Sequence, residues 1–183
     1  MTSITGLSDL INRLRDEDVQ KLPPVHLWNP PLCKNIEMRI DERGQWYFNN
    51  SPINRRRMIK LFSTVLRRDG NDYFLVTPIE KIKVKVDKKP FIVIDFEVKK
   101  EQGFTKIFFL TNLDTVICLN QKNKLTVEVD KKTKEPFPYI VVRNNLEALI
   151  SRSVFYKLVD LSLEREGELF IESNQTLFSL GKT

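Results

Sequence analysis

Three consecutive arginines, Arg55, Arg56 and Arg57, follow Ser51-Pro52-Ile53-Asn54 where the residue pattern starts a helix. Free backbone amides at a helix start, together with forked guanidinium groups, suit a phosphate or carboxylate, and the Ser51 hydroxyl adds a donor. Cations at that end oppose the helix dipole and cost roughly 0.3–1 kcal/mol each relative to an acid. An anion is therefore expected beside them, either a ligand or a surface acid such as Glu42 or Glu80; screened surface pairing is the plainer account. Arg55 and Arg57 stand about 200° apart around a helix, so the three cannot converge on one ligand. A second basic set, Lys81, Lys83 and Lys85, alternates with Ile82, Val84 and Val86 and would line one face of a strand. With Trp46, Tyr47 and Phe48 as stacking rings it could follow a phosphate backbone. A solvated edge strand guarded by lysines accounts for the same pattern. Thr111-Asn112 and Asp114 break two apolar runs and could bond a ligand, although turn chemistry uses the same residues.

Other chemistries find little support. His26 is the sole histidine and lies among prolines, which argues against a histidine triad or metal cluster. Cys33 and Cys118 are far apart, without zinc or redox spacing, so a reduced setting is expected. The six glycines form no phosphate-cradling loop, and Asp41, Asp69, Asp72 and Asp114 come from separate turns that sequence cannot pair. No metal or cofactor is expected, and catalysis has no motif. The net charge of +6 favours anionic partners. A basic, apolar leader and a run of about 20 apolar residues are both missing, so a cytoplasmic protein that does not insert into membranes is expected.

Several elements must hold these residues in place. Leu7, Leu10, Ile11 and Leu14 recur at helical steps, with Arg13 and Arg15 at the negative end, and predict a short N-terminal helix. Asp16 to Leu22 is charged, and Pro23, Pro24, Pro30 and Pro31 make the next stretch an extended connector, laid on the protein by Val25, Leu27 and Trp28. Ile36, Met38 and Ile40 alternate as a strand, and Glu42-Arg43-Gly44 turns it into Trp46-Tyr47-Phe48. Met58, Leu61, Phe62 and Val65 form an apolar helical stripe, capped by Asn54 and ended by Gly70, before a buried strand at Tyr73 to Val76. Phe91 to Val98 and Thr105 to Leu110 read as an antiparallel pair. Short strands follow at Val116 to Leu119, Leu125 to Val129 and Tyr139 to Val142. Asn144-Asn145 then opens a helical turn over Leu146 to Ile150 that continues through Phe155, Leu158, Val159 and Ser162 to Gly167. Leu169 to Glu172 and Thr176 to Leu180 close the chain as a strand pair.

The two halves repeat this order. Ile36 to Asp41 resembles Leu125 to Asp130, and each is followed by a strand, an asparagine pair, a helix, a glycine and a strand. Aligning Gly70 with Gly167 sets the copies 97 residues apart and places Leu61 over Leu158.

Trp28 through Pro31, Cys33, the Ile36 to Ile40 strand, Trp46, Ser51-Pro52-Ile53, Leu61-Phe62, Val65 through Gly70, Tyr73, Leu75 through Pro78, Glu80-Lys81 and Thr111-Asn112 resemble a bacterial family of unknown function. The resemblance implies a two-domain α+β protein with a duplicated core and a C-terminal half superficially like a pleckstrin-homology fold. It also implies a nucleotide-based ligand at the domain interface and a role in signalling. Lys34, Glu37 and Asn50 depart from the pattern, where glycine, aspartate and glycine are usual.

The expected architecture is α+β with two similar small domains, each an antiparallel sheet with a packed helix. Residues 1–22 would be helix and connector, 23–87 the first domain and 88–183 the second. The expected function is non-catalytic binding of an anionic, nucleotide-based small molecule between the domains. Candidate contacts are Arg39, Trp46, Arg55, Arg57, Arg67, Thr111 and Asn112. The alternatives are a nucleic-acid-binding module and an enzyme acting on a phosphorylated substrate.

Overall fold

The structure, a computed structural model, describes Leu7, Ile11, Asn12, Arg15 and residues 22–183. It divides into two compact units, Gln20–Pro90 and Met1–Val19 with Phe91–Thr183.

In the first unit a 3-10 turn, Val25–Leu27, precedes β1 (Leu32–Ile40), β2 (Trp46–Phe48) and β3 (Ser51–Pro52). Helix α1 (Arg56–Thr64) then leads to β4 (Leu66–Asp69), β5 (Asp72–Val76) and β6 (Lys81–Val86). The sheet order is β3-β2-β1-β6-β5-β4. The chain runs from the centre to one edge, crosses through α1 to the other edge and returns to the centre. Two antiparallel meanders therefore meet at β1 and β6, the one parallel pair of this sheet. Alternation decides the faces: Met38, Ile40, Trp46, Leu75 and Val84 are buried, and Phe62 of α1 reaches Trp46 with ring centroids 6.2 Å apart. On the opposite face Phe74 and Val76 are covered by Val25, with Trp28 and Val65 packed alongside.

Four expectations fail in this unit. The helix ends at Thr64, because Leu66–Asp69 pairs with β5 instead of continuing the apolar stripe. Gly70 has the anticipated positive φ, +60°, but uses it as the first residue of a two-residue hairpin turn and not as a helix cap. Asn54 does not cap; Arg55 holds the N-cap position without a side-chain bond. The lysine strand β6 lies at the sheet's centre, between β1 and β5, so it is no edge strand.

The second unit adds β7 (Phe91–Glu101), β8 (Phe104–Thr111) and β9 (Val116–Cys118), followed by β10 (Leu125–Val129), β11 (Pro136–Arg143) and β12 (Leu146–Ile150). Helix α2 (Arg152–Asp160), β13 (Leu163–Arg165), β14 (Glu168–Ser173) and β15 (Thr176–Lys182) complete it. One sheet runs β10-β11-β12-β7-β8-β9, the other β13-β14-β15, and β10 lies alongside β15. Two meanders joined by a helix thus recur, and β7 to β9 form an extra meander beyond β12, joined by a parallel β12–β7 pair. Leu146–Ile150 is a strand and not the expected helical turn, since it ladders with both β11 and β7. The asparagine pairs serve hairpin turns: Asn49, Asn50 and Asn144 all have positive φ.

The duplication is present, with a shifted register. Helices α1 and α2 begin 96 residues apart, at Arg56 and Arg152. This separation places Phe62 over Leu158, apolar on apolar, whereas the 97-residue alignment would set Leu61, 64 % exposed, over Leu158, 0 % exposed. The first strands stand 89 apart chiefly because β11, of 8 residues, is longer than β2, of 3.

Leu7, Ile11, Asn12 and Arg15 are helical, as the periodicity predicts; Leu10, Arg13, Leu14 and residues 16–21 lie outside the described residues. Ile11 is buried, and Arg15 lies 4.2 Å from the Phe108 ring while its Nη1 donates to Glu101 at 2.8 Å. No helix among the described residues is long and apolar enough to cross a membrane.

Candidate functional site

Parallel neighbours β1 and β6 pair at Leu32–Lys81 and Cys33–Ile82, and the register resumes only at Met38–Val84. Residues 34–37 bulge out of the ladder between those points. Asn49 tethers the bulge: its Oδ1 accepts from the Glu37 amide at 3.0 Å, and its own amide donates to the Glu37 carbonyl at 2.8 Å. Beside the bulge lies an open cleft of about 680 Å³ whose lining includes Glu37, Arg39, Tyr47, Asp72, Lys83 and Lys85.

Register brings the cations together. Tyr47 lies opposite Arg39 across β2 and β1, and Arg39 opposite Lys85 across β1 and β6. The Arg39 guanidinium bonds Asp87, with Nη2 to Oδ2 at 2.5 Å, and sits 5.5 Å from the Tyr47 ring centre. That bond holds the Asp87 carboxyl below its usual range and raises Arg39 further. The Tyr47 hydroxyl donates to Asp41 at 3.1 Å, which pushes the phenol up. Lys83 pairs with Asp72 at 3.0 Å. Lys85 is exposed and forms no ion pair among the described residues; only its field reaches Asp87. The site is thus a largely self-neutralised cleft beside an aromatic ring, lined by Arg39, Lys83 and Lys85 and by the carboxylates Glu37 and Asp72, in which Lys85 is the cation left to meet an anion. No cluster of three or more His, Cys, Asp or Glu able to hold a metal occurs among the described residues.

Of the residues singled out in the sequence, Arg39 lines this cleft. Trp46 does not: it is 0 % exposed, packed on Phe62 in the core, because β2 alternation turns Tyr47 and not Trp46 to the open face. Arg55 and Arg57 are exposed at the start of α1, outside the cleft lining. Arg67 is engaged structurally: Nη1 donates to the carbonyls of Val25 and Trp28 at 2.8 and 2.7 Å, and Nη2 to Asp69. Thr111 is buried at the end of β8, its hydroxyl accepting from the amides of Leu113 and Thr115 in the turn that follows. Asn112 anchors the same turn to β7, since its Oδ1 accepts from the Ile92 amide at 3.0 Å. Lys83 and Lys85 were visible as a lysine face; the bulge that opens the cleft beside them had no local signal beyond polar Lys34 and Asn35.

A sheet of two meanders linked by a helix, built twice in one chain, defines a duplicated α+β protein. The chain belongs to the DUF1285 family: residues 23–89 match the domain of unknown function (DUF1285), N-terminal domain, and residues 90–180 match the protein of unknown function (DUF1285), C-terminal domain. A DUF1285 family protein from Silicibacter pomeroyi DSS-3 is 37% identical, with a TM-score of 0.82 over 98% of this chain and 97% of that one. A DUF1285 family protein from Shewanella baltica OS155 shares the fold at 21% identity, with a TM-score of 0.53 over 67% of this chain and 90% of that one. No curated protein matches the chain.

Proposed function

We propose that the protein binds a compact anionic ligand of the nucleotide class, without turning it over, in the seam between β1 and β6, and that this binding serves a signalling role. The observation that carries the reading is the row Tyr47–Arg39–Lys85 across three adjacent strands, at the lip of a cleft of about 680 Å³. That volume falls in the range of small-molecule sites. Lys85 meets a phosphate first; Arg39 and Lys83 exchange part of their pairing with Asp87 and Asp72 for it, which keeps affinity moderate. The Tyr47 ring offers a face for a base. Two of the carboxylates in and beside the cleft, Asp72 and Asp87, are bonded to Lys83 and Arg39, which ties them to charge balance rather than to proton transfer.

Thermal unfolding with ADP and with inorganic pyrophosphate tests this. A native-state ligand at a hundredfold its Kd adds about 2.7 kcal/mol of stability, and Lys83→Gln with Lys85→Gln abolishes the increment. An unchanged melting temperature, or a rise that survives both substitutions, ends the proposal. A single-stranded nucleic acid lying along the same row is the second reading, favoured by the open sheet face. It requires affinity that grows with oligonucleotide length and falls steeply with salt.

A further inference from the structure

The seam that opens in the first unit has a counterpart in the second. β10 lies alongside β15 where the repeat places β1 beside β6, and an opening of about 570 Å³ sits between them. The hairpins correspond in register: Phe74 opposes Lys83 in the first copy and Phe170 opposes Ser179 in the second, and Asp72 and Glu168 begin β5 and β14.

The chemistry has changed between the copies. Arg39 is replaced by Glu128, which accepts from the Tyr139 hydroxyl at 2.7 Å, and Lys83 by Ser179, whose hydroxyl donates to Glu168. Two exposed lysines line the second opening, Lys124 from before β10 and Lys182 from β15, one on each side of the seam. Neither forms an ion pair among the described residues, and Glu168, the one carboxylate of the lining, is engaged by Ser179. Gln121, Thr126 and Thr176 add polar groups. The one ring of the lining, Phe178, is 5 % exposed and offers little face for stacking.

We infer that this opening is a second ligand site, distinct in specificity from the first, for a small hydroxylated carboxylate of the sugar-acid class. Its carboxylate bridges Lys124 and Lys182, and its hydroxyls meet the amide and hydroxyl side chains of the wall. A nucleobase finds no platform here, so the duplicated fold presents two clefts with different ligands.

The test is an amide-resolved NMR titration of the uniformly 15N-labelled full chain with sodium D-gluconate, and with D-glucose at matched ionic strength. Gluconate shifts the amides of residues 124–127 and 176–182 at concentrations about tenfold below those glucose needs. Lys124→Gln with Lys182→Gln removes that response and leaves the rest of the spectrum unchanged, and Lys85→Gln in the first unit has no effect on it. Silence of these amides up to tens of millimolar gluconate, equal responses to glucose, or persistence in the double variant overturns the inference. Because the reporting amides and the variants lie in the second unit, this site and the one at β1–β6 fail independently.

Discussion

Glu101 stands between two cations. Arg15 Nη1 lies 2.8 Å from its carboxylate and Lys106 Nζ 3.3 Å, and the Arg15 bond is the main reason the carboxyl is held below its ordinary value. A carboxylate whose folded value is depressed adds stability that is fully present above its unfolded value near 4.3 and is lost as pH falls through the folded one. The N-terminal helical residues should therefore loosen in acid. In urea unfolding, Glu101→Gln is expected to be less stable than the parent at pH 7 and to converge with it towards pH 3; a gap independent of pH would refute the assignment. The same sign holds for Asp87 beneath Arg39, so the charge balance of the β1–β6 cleft also shifts towards positive in acid.

At the scale of elements, the second unit shows how a short sheet is stitched to a longer one. Ser173 is buried at the end of β14; its Oγ accepts from the Ile107 amide at 3.0 Å and donates to the Leu119 carbonyl at 2.7 Å. The next residue, Asn174, donates its amide to the Thr105 carbonyl at 2.8 Å. Ser173→Ala leaves a buried donor and a buried acceptor unpaired, each worth about 1–3 kcal/mol, so a loss of about 2–6 kcal/mol in denaturant unfolding is expected. A loss within experimental error would show that the Ser173 hydroxyl does not hold these sheets together. Sequence periodicity predicted many of the strands but could not predict this stitch, because a serine after an apolar run looks like an ordinary strand end until its partners 66 and 54 residues away are known.

For the whole molecule the decisive feature is the repeat and its register. Phe62 and Leu158 are the equivalent helix anchors, and Leu61, exposed on α1, is not part of the set. Leu158→Ala should cost about 2–5 kcal/mol, Phe62→Ala, at a half-buried site, about 1–3 kcal/mol, and Leu61→Ala less than about 0.5 kcal/mol. Chemical denaturation of the three variants distinguishes the registers, since the 97-residue alignment requires Leu61 and Leu158 to respond alike. Many of the strands, the lysine-faced strand and the existence of two related copies were readable along the chain. Alternation and helical spacing record which side of a segment meets water, and that contrast is local. What only the tertiary structure decided is where residues 66–69 and 146–150 find hydrogen-bond partners, which made strands of segments with helical spacing. It also decided that Trp46 points into the core and that β6 lies at the centre of its sheet. The opening of the seam belongs with these, because whether two parallel strands stay joined or part depends on neighbours brought from distant points of the chain.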